Sequence, residues 1–164
     1  MTLRKGGTDA AGTTPEGNGV ETPRPRRKVV LVVEDEQSIG ELIASAISDE
    51  PGYCAIHVLE PTAAIETTKH VTPDVMVVDV RLPGMSGFEL YDRLQKDPRT
   101  KNVPVLFETA SGSESVAEFR RRGIATYVKK PFDLNELVAY VKRLANGEVL
   151  ASGARSARAP PRRA

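Results

Sequence analysis

Apolar residues along this chain gather in five short runs, at 29–33, 53–59, 75–79, 104–108 and 125–128. Valine is frequent in them, and β-branched side chains suit strands. The runs are near-continuous rather than alternating, the pattern of strands covered on both faces of a parallel sheet. Between them the apolar positions recur at helical spacing. Ile39, Leu42, Ile43, Ala46 and Ile47 form a first stripe, and Ala63, Ala64 and Ile65 a short second one after Pro61. Phe88, Tyr91 and Leu94 mark a third helix, Val116 and Phe119 a fourth. Leu134, Leu137, Val138, Val141 and Leu144 mark a fifth that ends near Asn146-Gly147. Pro51-Gly52 and Pro83-Gly84 read as turns. Strand and helix alternate throughout, which predicts an α/β fold: a doubly wound parallel sheet with helices on both faces and right-handed crossovers.

Composition sets the limits of that body. Residues 1–27 and 148–164 are rich in Gly, Ala, Thr, Ser, Pro and Arg and poor in large apolar side chains. Such segments cannot bury enough surface to offset their ordering entropy, so both are expected to be disordered around a domain at 28–147. Charge follows the same division. Six basic residues face three acidic ones in the first 28 positions, and four face one in the last 17, leaving a body of about −5 although the whole chain carries +1. Cys54 is the single cysteine. It excludes an intramolecular disulfide and favours a reducing compartment. No apolar stretch approaches the ~18 residues of a membrane span, and no apolar core follows Arg4 and Lys5 to make a secretory signal. A cytoplasmic protein without membrane insertion is expected.

The chemistry lies where the runs end. Val75-Met76-Val77-Val78 stops at Asp79, and Val29-Val30-Leu31-Val32-Val33 stops at Glu34-Asp35. Thr109 and Lys130 close two later runs. In an open parallel sheet the strand carboxyl ends converge on one crevice. Neighbouring strands would therefore bring three carboxylates, a hydroxyl and an ammonium together. A carboxylate such as Asp79 can act as a nucleophile toward phosphorus. Its attack on an anionic phosphoryl group is opposed by charge, and Glu34 and Asp35 add to the repulsion unless a cation sits among them. Mg²⁺ suits such a site, being a hard ion that takes a few carboxylates, waters and a phosphate oxygen. Lys130 would pair with a phosphate oxygen. Each group also has a plainer use: Asp79 could cap the following loop, Glu34-Asp35 could open the first helix, and Thr109 and Tyr127 are ordinary strand residues.

Five pieces in order carry a family resemblance: Val33-Glu34-Asp35-Glu36, Asp79 with Leu82-Pro83-Gly84-Met85-Ser86-Gly87, Pro104 through Thr109-Ala110, Tyr127, and Lys130-Pro131-Phe132. Together they resemble the receiver domain of bacterial two-component response regulators, over residues 28–147. The resemblance implies a five-stranded flavodoxin-like sheet of order 2-1-3-4-5. It implies that Asp79 is the phosphoacceptor, that Asp35 and Asp79 ligate Mg²⁺ directly, that Glu34 reaches it through water, and that the Arg81 backbone carbonyl supplies a further ligand. Thr109 would give its hydroxyl to the phosphoryl oxygen and Tyr127 would swing inward as Thr109 moves. Lys130-Pro131 would be a cis peptide, placing the lysine in the site. Arg81 and Ser111 occupy the positions that tune the phosphoryl lifetime, and Gly87 sets the turn into the third helix.

The implied function is that of a single-domain response regulator. It takes a phosphoryl group from a histidine kinase or phosphotransfer protein and signals by protein–protein binding through the face of the fourth helix, fifth strand and fifth helix. A relay intermediate, a phosphate sink and a constitutive interaction module are the alternatives. No output domain is expected after Gly147, and no enzymatic activity beyond self-catalysed phosphoryl transfer and autodephosphorylation. A phosphatase with an aspartyl-phosphate intermediate needs a second acid two residues after its nucleophile, where this chain has Arg81. Specific nucleic-acid binding is not expected, because the body is acidic and no aromatic residues interleave the basic tails. Arg120-Arg121-Arg122 is a candidate dock for an acidic partner, or else a basic turn favourable at a helix C-terminus. Cys54 is expected to be a small buried hydrophobe, and His57 and His70 have no assigned role.

Overall fold

The computed structural model describes residues 24–150 except Ser111. Residues 1–23 and 151–164, which include most of the two segments expected to be disordered, lie outside the described residues. Ten elements alternate in chain order: β1 (Lys28–Val33), α1 (Gln37–Ser48), β2 (Tyr53–Val58), α2 (Pro61–His70), β3 (Val75–Asp79), α3 (Gly87–Leu94), β4 (Val105–Thr109), α4 (Ser113–Arg121), β5 (Tyr127–Lys129) and α5 (Leu134–Ala145). All pairings are parallel, in the order β2-β1-β3-β4-β5. That is the expected order. The third run coincides with β3, and the boundaries of the other four strands differ from the sequence reading by one or two residues, since the ladder rather than the apolar run decides where pairing stops.

The near-continuous apolar runs resolve into two interleaved faces, because side chains along a strand alternate. Val30, Val32, Val75, Val77 and Leu106 pack with Ile43 and Ile47 of α1 and Leu137 and Val141 of α5. Leu31, Val33, Met76, Val78 and Phe107 pack with Ala64 of α2, Phe88 and Leu90 of α3 and Phe119 of α4. Helices α1 and α5 therefore cover one face and α2, α3 and α4 the other. Each fully buried aliphatic or aromatic side chain contributes roughly 1.5–3 kcal/mol. Phe88, Phe107 and Phe119 sit mutually at centroid distances of 5.1–5.6 Å, favourable tilted geometry for aromatic rings.

Local chemistry fixes the helix starts nearest the strand ends. Ser86 Oγ accepts from Glu89 N–H and Glu89 Oε2 accepts from Ser86 N–H, a reciprocal capping box that starts α3. Asp133 accepts from Asn135 and Glu136 N–H to start α5. Gly87 has a steric reason to be glycine: a Cβ there would lie 2.3 Å from the Asp79 carbonyl oxygen. The first turn of α3 thus packs directly on the end of β3.

Two expectations need adjustment. Leu42 does not join the buried stripe of α1 but is 57% exposed; the helix buries Ile43 and Ile47 instead, and one helix face is too narrow to bury all five positions. The packed body also continues past Gly147. Leu150 is 5% exposed within the core beside α5, and Arg143 Nε pairs with Glu148 at 2.6 Å. A single leucine among Gly, Ala, Ser and Arg has no periodicity to reveal it.

Candidate functional site

Strands β1, β3, β4 and β5 are successive neighbours, so the residues at their carboxyl ends meet. Asp79 is the last residue of β3 and only 6% exposed. Its Oδ1 accepts from the backbone N–H of Arg81 at 2.9 Å. Its Oδ2 accepts from Lys130 Nζ at 2.7 Å. Glu34 follows β1 and is 1% exposed. Its Oε1 accepts from Glu36 N–H at 3.1 Å and its Oε2 from Lys130 Nζ at 2.8 Å. Asp35 is exposed at the rim. One carboxylate oxygen from each of Glu34, Asp35 and Asp79 lies within 4.8 Å of the others.

Lys130 follows β5, where its N–H donates to the Thr109 carbonyl at 2.8 Å. The Lys130-Pro131 peptide is cis, as the resemblance implied. Burial works against the Lys130 charge, but the hydrogen bonds it donates to Asp79 and Glu34 outweigh it and hold the ammonium well above the ordinary lysine range. Burial pushes the Glu34 carboxyl up, against the opposing hydrogen bond from Lys130. Three carboxylates so close repel one another, and two of them, Glu34 and Asp79, share the Lys130 ammonium. Hard oxygen donors in that number and proximity fit a small divalent cation of the magnesium type.

Thr109 ends β4 and is 3% exposed. Tyr127 starts β5, and its ring stacks on Phe119 of α4 at 4.4 Å and 5° between planes. Arg81 is exposed and reaches Asp79 through its backbone N–H. Ser111 lies outside the described residues. The structure therefore brings Glu34, Asp35, Asp79 and Lys130 into one cluster, with Thr109 on the adjacent strand end and Tyr127 directed toward α4.

Two residues of this region escaped sequence reasoning. Glu108 pairs in register with Asp79 across β3 and β4 and is completely buried. Its Oε2 lies 3.9 Å from Lys130 Nζ, and neither of its oxygens has a hydrogen-bond partner among the described residues. Burial first, and then the charge of Glu34, push its carboxyl up to about 8. The available signal was an acid inside the run Val105-Leu106-Phe107-Glu108-Thr109, where a buried strand position disfavours charge. The second residue is His57. Its Nε2 is 2.9 Å from the Glu34 carbonyl oxygen, and its ring fills the space where a Cβ on Gly40 would lie, 1.9 Å from Nε2. No sequence spacing links His57 to Gly40 or Glu34.

Of the arginine triplet, Arg122 is partly buried and engaged, whereas Arg120 and Arg121 are exposed. Arg122 makes two bonds to Asp92 of α3, at 3.0 and 2.8 Å, and a third to Glu118. Its guanidinium also lies 4.9 Å from the centre of the Phe88 ring. Arg121 pairs with Glu118 at 2.7 Å. The Arg122 contacts tie the end of α4 to α3 and leave Arg120 and Arg121 exposed. Cys54 is likewise not enclosed but partly exposed on the edge strand β2.

Comparison with known proteins agrees with this geometry. Residues 30–142 match the model of the response regulator receiver domain. The chain is 38% identical over 130 residues to the phosphate regulon transcriptional regulatory protein PhoB of Rhizobium meliloti, covering 75% of this chain and 56% of that protein. It is 36% identical over 119 residues to hybrid signal transduction histidine kinase D of Dictyostelium discoideum, covering 72% of this chain and 8% of that protein. The chain thus spans only part of the length of these relatives. The chemotaxis response regulator CheY4 of Vibrio cholerae superposes with a TM-score of 0.66 at 27% identity, over 72% of this chain and 98% of that one. No helix among the described residues is long and apolar enough to cross a membrane. With a family match over most of its packed body and a parallel sheet in the expected order, the chain belongs to the response regulator receiver domain family.

Proposed function

We propose that this receiver domain is phosphorylated on Asp79 by a histidine kinase or a histidine phosphotransfer protein. The observation that carries this reading is the environment of the Asp79 carboxylate. It sits at a strand end with a lysine at 2.7 Å and two further carboxylates close by. In the reaction an Asp79 oxygen attacks phosphorus, and the bond from phosphorus to the donor's imidazole nitrogen breaks. The electron pair leaves with the imidazole, which takes up a proton, and the product is an acyl phosphate. Water later attacks phosphorus and returns the carboxylate and inorganic phosphate. This self-catalysed transfer and hydrolysis is the only catalysis proposed.

Asp35 and Asp79 are the residues to hold Mg²⁺ directly, Glu34 through water, and the Arg81 carbonyl as a further ligand. When bound, the ion supplies positive charge that offsets repulsion between carboxylates and phosphoryl oxygens. Both Glu34 oxygens already accept hydrogen bonds, from Glu36 N–H and Lys130, which suits an indirect role. The backbone N–H of Arg81 orients the Asp79 carboxylate by binding one of its oxygens. The Lys130 ammonium then exchanges carboxylate partners for a phosphoryl oxygen, a charge-assisted bond of roughly 1.5–3 kcal/mol. Thr109 donates its hydroxyl to another phosphoryl oxygen.

Signalling follows from coupling to α4. Tyr127 stacks on Phe119, so a change at Thr109 that moves Tyr127 also changes the packing of α4. The face of α4, β5 and α5 is the proposed contact for a downstream protein. Incubation with acetyl phosphate and Mg²⁺, followed by intact mass, tests the reading. A gain of one phosphoryl group that is lost in Asp79→Ala supports it. An equal gain in Asp79→Ala contradicts it.

A further inference from the structure

Lys130 carries three N–H donors on its ammonium. Two are taken by Asp79 Oδ2 and Glu34 Oε2. Next to them lies Glu108, 0% exposed, with Oε2 at 3.9 Å from the same nitrogen. Its two oxygens have no hydrogen-bond partner among the described residues. A fully buried carboxyl whose oxygens accept no hydrogen bond is costly, so its place beside the site calls for a use. It does not belong to the three acids, Glu34, Asp35 and Asp79, whose oxygens lie close enough together to hold one ion. A cation on those three would engage the carboxylates that now hold Lys130 and leave Glu108 as the neighbouring acceptor.

We propose that Glu108 is a positioning residue of the phosphorylation site, one that draws Lys130 toward the floor of the crevice. This rests on the reading of Asp79 as phosphoacceptor. Two consequences follow from one displacement. Drawing Lys130 down frees the Asp79 carboxylate for the metal ion and the Glu34 carboxylate for the water that links it to that ion, so Glu108 favours metal binding. The same hold competes with the phosphoryl oxygen for the ammonium, so Glu108 disfavours the phosphorylated state. A carboxyl group keeps an acceptor oxygen whether or not it is protonated, so the hold needs no change of charge.

The test is calorimetric titration of the full chain, first with Mg²⁺ alone and then with beryllofluoride, a phosphoryl mimic, at saturating Mg²⁺. Glu108→Leu removes the acceptor; Glu108→Gln keeps one and is the conservative rescue. The expected result for Glu108→Leu is weaker Mg²⁺ binding and tighter beryllofluoride binding. Each change is on the order of tenfold, the factor that 1.4 kcal/mol represents, and Glu108→Gln falls between Leu and the unaltered protein. Both changes vanish when the variants are made on Lys130→Ala, because the effect passes through the ammonium. If both affinities stay unchanged, move in the same direction, or still shift on Lys130→Ala, the proposal is overturned. Cooperative thermal unfolding is checked for each variant, and Glu108→Gln carries the test if the leucine variant does not fold. Failure of the unaltered protein to bind beryllofluoride at saturating Mg²⁺ would instead overturn the phosphoacceptor reading itself.

Discussion

Glu108 makes the stability of this domain depend on pH in an unusual sense, and Glu108→Gln exposes it. The buried carboxyl titrates near 8 in the folded chain against an ordinary value of 4.5. Between those values the folded state keeps a proton that the unfolded chain has released. The stabilisation linked to this group is therefore complete below about pH 4.5 and is lost as pH rises toward 8. At about 1.4 kcal/mol per pKa unit, the loss approaches 5 kcal/mol across the window and is about 3 kcal/mol by pH 7. Glu34 is also pushed up by burial and acts in the same sense, but it is present in both proteins and largely cancels in their difference. Lys130 is raised from an already high value, so its contribution is lost only at alkaline pH, beyond this range. Urea unfolding in metal-free buffer at pH 5, 6, 7 and 8 gives the two stability curves. The predicted result is that Glu108→Gln gains on the unaltered protein steadily with pH, by about 3–5 kcal/mol over the series. Parallel curves would show that Glu108 is ionised from the start, and would refute the reasoning.

Two glycines give further predictions. Gly87→Ala places a Cβ 2.3 Å from the Asp79 carbonyl oxygen and 3.0 Å from Val80 Cα; backbone cannot yield cheaply, so a loss of about 1–3 kcal/mol in urea unfolding is expected, together with reduced phosphorylation by acetyl phosphate. Gly40→Ala meets the His57 ring. It is expected to cost about 1–3 kcal/mol and to be largely repaired in the double variant Gly40→Ala/His57→Ala, a non-additivity that a double-mutant cycle reads directly.

The parts of this molecule that could be read in advance share a physical basis. Apolar runs of strand length separated by helical stripes specify the layered α/β arrangement, because burial on both faces of a sheet leaves little room for polar residues. Asp79 stood out because a carboxylate after four apolar residues is expensive without a purpose. Glu34, Asp35 and Lys130 stood out by their place at the ends of other runs. What remained hidden depends on contacts between distant segments. Glu108 looked like part of a strand until its register opposite Asp79 was known. His57 had no partner in sequence, because its contact with Glu34 spans two strands and its contact with Gly40 exists only where α1 leans on β2. Arg122 read as one of three equivalent surface charges, yet it alone of the triplet lies against Asp92 and Phe88. Leu150 carried no pattern, and its burial follows from where the chain turns after α5.

The central claim is that the carboxylate of Asp79 itself becomes phosphorylated. Reduction of the phosphorylated chain with borohydride converts an acyl phosphate to the corresponding alcohol, and peptide mapping then locates it. Homoserine at position 79 alone, dependent on Mg²⁺ during phosphorylation, is the predicted result. Homoserine absent from position 79, or a reduced side chain at position 35 instead, would contradict the account.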